Sequence, residues 1–129
     1  FIGDACMAIF NSPLDLDEHE QRAVACARDM RTCIHLLQTE LPEPVAIGIG
    51  INTGEAVVGN MGSDTRFDYS AIGDAVNTAA RLESATKEAG VDILIGEKTE
   101  SLCGYYLQEL DPMPVKGKAK PLRVFTFME

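Results

Sequence analysis

The spacing of hydrophobic residues predicts a long amphipathic helix in the first third of the chain. Between about residues 17 and 40, apolar residues recur in steps of four and three, which is the period of one helix face. This stripe consists of Ala23, Ala27, Met30, Ile34, Leu37 and Leu41. Acidic residues occupy the first turn, where the helix dipole favours them, and Pro42 and Pro44 end the helix. We interpret the stripe as the face of a helix that packs on a sheet rather than as a coiled coil.

Residues 45–51 have a different period, because Val and Ile alternate with Ala and Gly. Alternation with a period of two predicts a strand, and one face of this strand is nearly bare. We expect a helix or another chain to approach closely there. A turn at Thr53-Gly54-Glu55 and a returning strand over 56–59 would complete a hairpin.

The remaining segments predict further short strands and two helices. The strands are predicted over 5–10, 66–72, 91–95, 105–109 and 122–127, and the helices over 74–89 and 97–103. A Gly3-Asp4 turn would precede the first of these strands, Asp74 would cap the longer helix, and Gly90 would end it. Hairpins mixed with helices, without strict βαβ alternation, indicate a single α+β domain over residues 1–129.

The charge and cysteine content of the chain limit which molecules it can bind and which cross-links it can form. The net charge of −9 argues against nucleic acid, which requires a basic surface. A local basic cluster nevertheless suits phosphates: Lys116, Lys118, Lys120 and Arg123. The four cysteines form no CxxC, and Cys26 and Cys33 lie about 10 Å apart along the predicted helix, too far for a disulfide. We predict buried free thiols in a reducing cytoplasm.

Two familiar phosphate-binding motifs are excluded. Gly48-Ile49-Gly50 lacks the third glycine of GxGxxG and lies inside a strand, and residues 96–99 do not satisfy the P-loop pattern. The chain also opens within an apolar run at Phe1, which we interpret as the start of a fragment.

Four segments, in this order, resemble the class III adenylyl/guanylyl cyclase catalytic domain. They are FIGDACMAIF (1–10), IGINTGEAVVGN (49–60), DYSAIGDAVNTAARLE (68–83) and VKGK (115–118). The resemblance implies a ferredoxin-like nucleotide cyclase fold, in which helices pack on a mixed, mostly antiparallel sheet. It also implies that an N-terminal strand and helices, with the first of two metal-binding aspartates, lie upstream of Phe1. We therefore predict little or no activity for these 129 residues alone.

The same resemblance implies a lyase that converts ATP to 3′,5′-cyclic AMP and pyrophosphate. It assigns Asp4 to one of the metal-binding positions for Mg²⁺ or Mn²⁺, with two ions in each complete site. It assigns Asn77 to the ribose and Arg81 to the transition-state phosphate, and these two lie four apart on one helix face. Lys116 corresponds to the residue on the terminal phosphates, and Ser70 to the residue that selects the purine.

Partners also follow from the resemblance. It implies a homodimer with sites at the interface, an upstream sensory or regulatory domain, and a cytoplasmic catalytic domain. Attachment of the parent protein to a membrane through an upstream segment is compatible with this arrangement. A serine at Ser70 favours ATP, but its hydroxyl can also pair with guanine. The alternatives are a guanylyl cyclase that uses GTP, a non-catalytic dimerisation or regulatory module, and a nucleotide-binding sensor without turnover.

Overall fold

The computed structural model describes residues 5–61, 68–115 and 119–128, with backbone only at 60–61 and 68–70. The helices are α1 (His19–Gln38), α2 (Asp74–Ala89) and α3 (Glu97–Cys103). The strands are β1 (Ile49–Ile51), β2 (Val57–Met61), β3 (Asp68–Ile72), β4 (Ile93–Gly96), β5 (Leu107–Glu109) and β6 (Val124–Phe127). Within these ranges, no helix combines the length and the apolar character that a membrane crossing needs.

The strands form a four-stranded sheet and a separate two-stranded sheet. The larger sheet has the order β1-β4-β6-β5, in which β1 and β4 are parallel and the other neighbours are antiparallel. β2 and β3 pair antiparallel with each other. This mixed, mostly antiparallel arrangement with helices packed on it confirms the predicted α+β class.

Helices cover both faces of the four-stranded sheet. Because alternate strand residues point to opposite faces, Ile93 and Ile95 pack on one side and Leu94 on the other. The first side joins α1 and α3 through Val24, Ala27, Cys103, Phe125 and Phe127, and the second joins α2 through Leu82 and Val124. All residues of β4 and β6 are buried, so these two strands form the centre of the core.

Two predicted strand assignments were wrong. Residues 45–51 and 56–59 do not form a hairpin, because β1 pairs with β4 while β2 pairs with β3. Residues 6–10 form no strand, and Ala5 makes only an isolated bridge. An apolar run becomes a strand only where another strand supplies its hydrogen bonds. In contrast, α2 and α3 have the predicted bounds.

Helix α1 is rotated relative to the predicted stripe. Val24 and Ala27 are its buried residues, whereas Met30 and Leu37 keep 46% and 42% of their surface exposed. The rotation turns Arg31 inward, where its guanidinium donates to both carboxylate oxygens of Asp92 at 2.9 and 2.6 Å. The guanidinium also lies 5.3 Å from the centre of the Phe127 ring. Because it is paired with Asp92 and stacked on Phe127, Arg31 can lie on the inner face of α1. The hydrophobic pattern alone had placed Met30 and Leu37 on that face.

Replacing Arg31 with methionine is expected to lower the free energy of unfolding by about 1–2 kcal/mol. The substitution keeps the length of the side chain but removes both hydrogen bonds to the half-buried Asp92. Urea unfolding followed by circular dichroism measures the change. Arg22→Ala is the control, because Arg22 is exposed and its side chain donates, among the described residues, only to the nearby Asp17 carbonyl. Equal effects of the two substitutions would contradict the assigned role of Arg31.

The cysteine prediction was partly wrong. All four cysteines are free thiols, but only Cys103 is buried. Cys26 and Cys33 are exposed because the rotation of α1 places them on its outer side, where the Cys26 thiol lies 3.9 Å from the Met30 sulfur.

Candidate active site

Helix α2 carries both of the predicted catalytic residues. It begins after Gly73, whose φ of 147° favours glycine, and it ends at Gly90, which has a left-handed conformation. The N–H of Asn77 donates to the carbonyl of Gly73 at 3.1 Å, so the first turn of the helix is closed. Helical spacing then places Asn77 and Arg81 one turn apart on the same face.

Close packing fixes the orientation of α2 on the sheet. A Cβ atom at Gly50 would collide with the backbone of Ala79 and Glu83, and one at Gly48 would collide with the side chain of Thr86. The bare strand face predicted from the sequence is therefore covered by a helix. Because Ala79 lies against β1, Asn77 and Arg81 point away from the sheet, and both are exposed.

No described residue holds either side chain in place. Among the described residues, Asn77 accepts or donates no side-chain hydrogen bond and Arg81 forms no ion pair. An exposed guanidinium without a carboxylate partner keeps its full charge and its five N–H donors for a ligand. This arrangement can bind phosphate oxygens bidentately.

Arg81 lines a groove of about 430 Å³ between α2 and the segment that follows β5. Ser84 and Glu88 continue the helical wall, one and two turns beyond Arg81, and Met113 and Val115 form the opposite wall. The sequence analysis did not identify these wall residues. The spacing 81, 84 and 88 was a usable signal, because residues three and four apart share a helix face, but nothing in the sequence indicated the opposite wall.

The other predicted site residues are only partly described. Ser70 lies in β3, and its backbone pairs with Gly59, but its side chain is outside the described part of the structure. Asp4 and Lys116 also lie outside it, although Lys116 directly follows Val115 of the groove. Within the described ranges, no three His, Cys, Asp or Glu residues are grouped as metal ligands.

Arg123 does not belong with the predicted phosphate-binding cluster. Its guanidinium donates to Glu97 at 2.6 Å and to both oxygens of Glu109 at 2.9 Å, and it stacks on Phe125. Through these hydrogen bonds, Arg123 holds the pKa of the Glu109 carboxyl below its usual range. With two carboxylate partners, the charge of Arg123 is already compensated. The two acidic partners lie 14 and 26 residues away in sequence, so the local basic run could not reveal them.

The fold and the site together define an α+β domain with an exposed asparagine and arginine on one helix face. The sequence profile of the adenylate and guanylate cyclase catalytic domain matches residues 1–128. The chain therefore belongs to the adenylate and guanylate cyclase catalytic domain family.

Individual relatives agree with this assignment. The "Adenylate cyclase, terminal-differentiation specific" of Dictyostelium discoideum is 35% identical over all of this chain, which spans 6% of that protein. The adenylyl cyclase CyaB from P. aeruginosa is 31% identical with a TM-score of 0.73, and the match covers 93% of this chain and 65% of CyaB. The catalytic core of a rhodopsin-guanylyl cyclase with converted specificity, in complex with ATPalphaS, is 31% identical with a TM-score of 0.77. That match covers 93% of this chain and 65% of the rhodopsin-guanylyl cyclase core. This chain thus spans only a small part of that curated relative.

Proposed function

We propose that this chain is part of a catalytic domain that converts ATP to 3′,5′-cyclic AMP and pyrophosphate. The observation that carries the proposal is the exposed pair Asn77 and Arg81, one turn apart on α2, with Arg81 on the wall of an open groove. Residues on a rigid, closely packed helix are held in fixed positions, which is what a phosphoryl-transfer site needs.

In the proposed reaction, the 3′-oxygen of the ribose forms a bond to the α-phosphorus. The bond from that phosphorus to the bridging oxygen of pyrophosphate breaks, pyrophosphate leaves with the electron pair of that bond, and the proton of the 3′-hydroxyl passes to solvent water. The Arg81 guanidinium stabilises negative charge on the phosphate oxygens as it develops. The Asn77 amide orients the ribose so that the hydroxyl is in line with the leaving group.

The proposal includes Mg²⁺ or Mn²⁺, with Asp4 as a ligand. When bound, these ions would lower the pKa of the attacking hydroxyl and neutralise phosphate charge. Lys116 would contact the terminal phosphates, and its position directly after Val115 supports this assignment because Val115 lines the Arg81 groove.

We propose ATP as the nucleotide, with Ser70 facing the purine. The position of Ser70 in β3, four residues before α2 begins, supports a purine pocket near the start of that helix. GTP is the alternative substrate, because a guanylate cyclase domain of similar structure was solved in complex with GTP. A serine hydroxyl can donate or accept and is compatible with either purine edge. The proposal also places the domain in the cytoplasm, under the control of an upstream sensory or regulatory domain.

A homodimer with sites at the interface is part of the proposal, and the β2–β3 hairpin supports it. The cross-strand pair Val57 and Ile72 is 65% and 56% exposed, on a two-stranded sheet separate from the larger one. An isolated hairpin with an exposed apolar pair is only marginally stable in water. A second copy that buries this pair would stabilise the hairpin.

Replacing Val57 with lysine is expected to shift the protein from dimer to monomer at micromolar concentration, because a charge would enter the proposed interface. Sedimentation velocity measures the shift. Tyr106→Lys is the matched control, since Tyr106 is 90% exposed beside β5. A Val57→Lys protein that remains fully dimeric would rule out this interface.

The function is tested with the complete catalytic domain of the parent protein, incubated with ATP or GTP and Mn²⁺ or Mg²⁺. Cyclic AMP as the main product supports the proposal, and cyclic GMP would change only the assignment of the substrate. Nucleotide binding without product would indicate a sensor. A folded dimer that neither binds nor converts nucleotide would indicate a regulatory module.

A further inference from the structure

A second cleft lies on the other side of α2, apart from the Arg81 groove. It has a volume of about 210 Å³, and its walls come from α2, from the carboxyl ends of β1 and β4, and from the residues just before β6. Crevices outside the carboxyl ends of parallel strands are common positions for ligands in α/β sheets. This volume suits a small organic molecule but not a nucleoside triphosphate.

The floor of the cleft carries a buried hydroxyl that bonds to no described residue. Thr78 is 5% exposed and lines the cleft, and among the described residues its hydroxyl makes no hydrogen bond. Other helical hydroxyls in the structure, such as those of Thr86 and Ser101, bond to a carbonyl three residues earlier. No fully enclosed side-chain polar atom of the described residues lacks a partner, so the Thr78 hydroxyl keeps some access to solvent, and Thr78 lines the cleft. A buried hydroxyl in this position is ready to bond to a ligand.

Asn52 supplies a second oriented polar group. Its amide nitrogen donates to the carbonyl of Ala75 at 3.0 Å, which fixes the side chain. The amide oxygen is thereby directed toward Gly96, where a Cβ atom would collide with it. Asn52 and Gly96 both line the cleft, so its wall offers an acceptor in addition to the Thr78 hydroxyl.

Two acidic and two basic side chains line the cleft, and of the two bases only Lys98 has no carboxylate partner among the described residues. Arg123 lies at the rim, but Glu97 and Glu109 already compensate its charge, and Asp74 has a partner as well. Lys98 also lines the cleft, and it forms no ion pair with any described residue. Leu82 and Leu122 form the apolar part of the wall.

We propose that this cleft binds a small organic carboxylate that also carries a hydroxyl group. The carboxylate would pair with Lys98, while the rest of the molecule would accept a hydrogen bond from Thr78 and donate one to Asn52. This site is independent of the proposed cyclase reaction, because none of its three polar groups lines the Arg81 groove.

The test uses the 129-residue chain labelled with ¹⁵N and titrated with glycolate, lactate or malate. We expect the amide signals of Asn52, Thr78 and Lys98 to shift and to saturate for at least one of these probes. Thr78→Val, which keeps the shape of the side chain and removes the hydroxyl, should weaken binding roughly tenfold. Lys98→Ala should weaken it by a similar factor, whereas Lys87→Ala, on the exposed end of α2, should not.

Circular dichroism establishes whether each variant is folded, and Lys98→Ala provides an independent test because Lys98 is exposed and unpaired among the described residues. The proposal is wrong if no probe gives a saturable shift. It is also wrong if both variants bind as tightly as the original chain, or if the shifts centre on Arg81 and Ser84 instead.

Discussion

Replacing Arg81 with alanine in the complete catalytic domain is expected to lower kcat at least about a hundredfold, because the proposed charged donor to the reacting phosphate would be lost. The fold should be unaffected, since Arg81 is exposed and has no ion-pair partner among the described residues. Arg81→Lys should recover only part of the activity, because an ammonium group keeps the charge but not the bidentate geometry. Quantifying the cyclic product at saturating nucleotide gives kcat, and thermal unfolding gives the stability.

Lys87→Ala is the control on the same helix, since Lys87 is exposed in the last turn and does not line the groove. It should retain both kcat and the melting temperature. If Arg81→Ala retained near-normal kcat, the assignment of Arg81 to the transition-state phosphate would be lost. If its melting temperature fell together with its activity, the residue would have a structural role instead.

Replacing Gly50 with alanine is expected to lower the free energy of unfolding by about 3 kcal/mol, at the upper end of the usual cost of overpacking. The added Cβ would meet backbone atoms of Ala79 and Glu83, which cannot move as a flexible side chain can. Helix α2 would have to shift away from β1. Urea denaturation followed by circular dichroism measures the loss.

Gly59→Ala is the matched control, because a Cβ at Gly59 has no atom within 4 Å. We expect that substitution to change the free energy of unfolding by no more than about 0.5 kcal/mol. Similar losses at Gly50 and Gly59 would show that the close contact between α2 and β1 is not responsible. Since α2 carries Asn77 and Arg81, Gly50→Ala should also lower the activity of the complete domain.

Local signals in the sequence predicted the helices well. Gly73 and Gly90 bound α2, and both adopt backbone conformations that glycine tolerates. Alternation with glycine in residues 45–51 predicted a closely covered strand face, and α2 covers it at Gly48 and Gly50. These features depend on neighbouring residues or on the period of one helix or strand. They can therefore be predicted from the sequence of that segment alone.

Pairings between distant segments could not be predicted in the same way. β1 pairs with β4 more than 40 residues later, through the register Gly50 with Leu94, and no local pattern selects that partner over a nearby strand. The rotation of α1 likewise depends on Asp92 and Phe127, which lie far from Arg31 in sequence. Which face of α1 packs on the sheet therefore depends on ion pairs and ring stacking with distant residues. Those contacts form only when the chain has folded.

In the candidate site, too, the features set by local spacing were predictable, and those set by distant residues were not. The placement of Asn77 and Arg81 on one exposed helix face follows from their spacing, and the structure has them there. The use of Arg123 for phosphates was wrong, because its carboxylate partners come from other elements. The roles of Asp4, Ser70 and Lys116 rest on the resemblance and stay predictions.

Mixing two inactive variants of the complete catalytic domain tests the central claim most directly, namely that two copies share each cyclase site. Asp4→Asn should disable the metal-binding half of the site, and Arg81→Ala should disable the phosphate-binding half. After subunit exchange, half of the dimers would contain one of each variant, and each of these would keep one intact site of two. The account therefore predicts recovery of about a quarter of the original cyclase activity. No recovery, from variants shown by sedimentation to form mixed dimers, would contradict it.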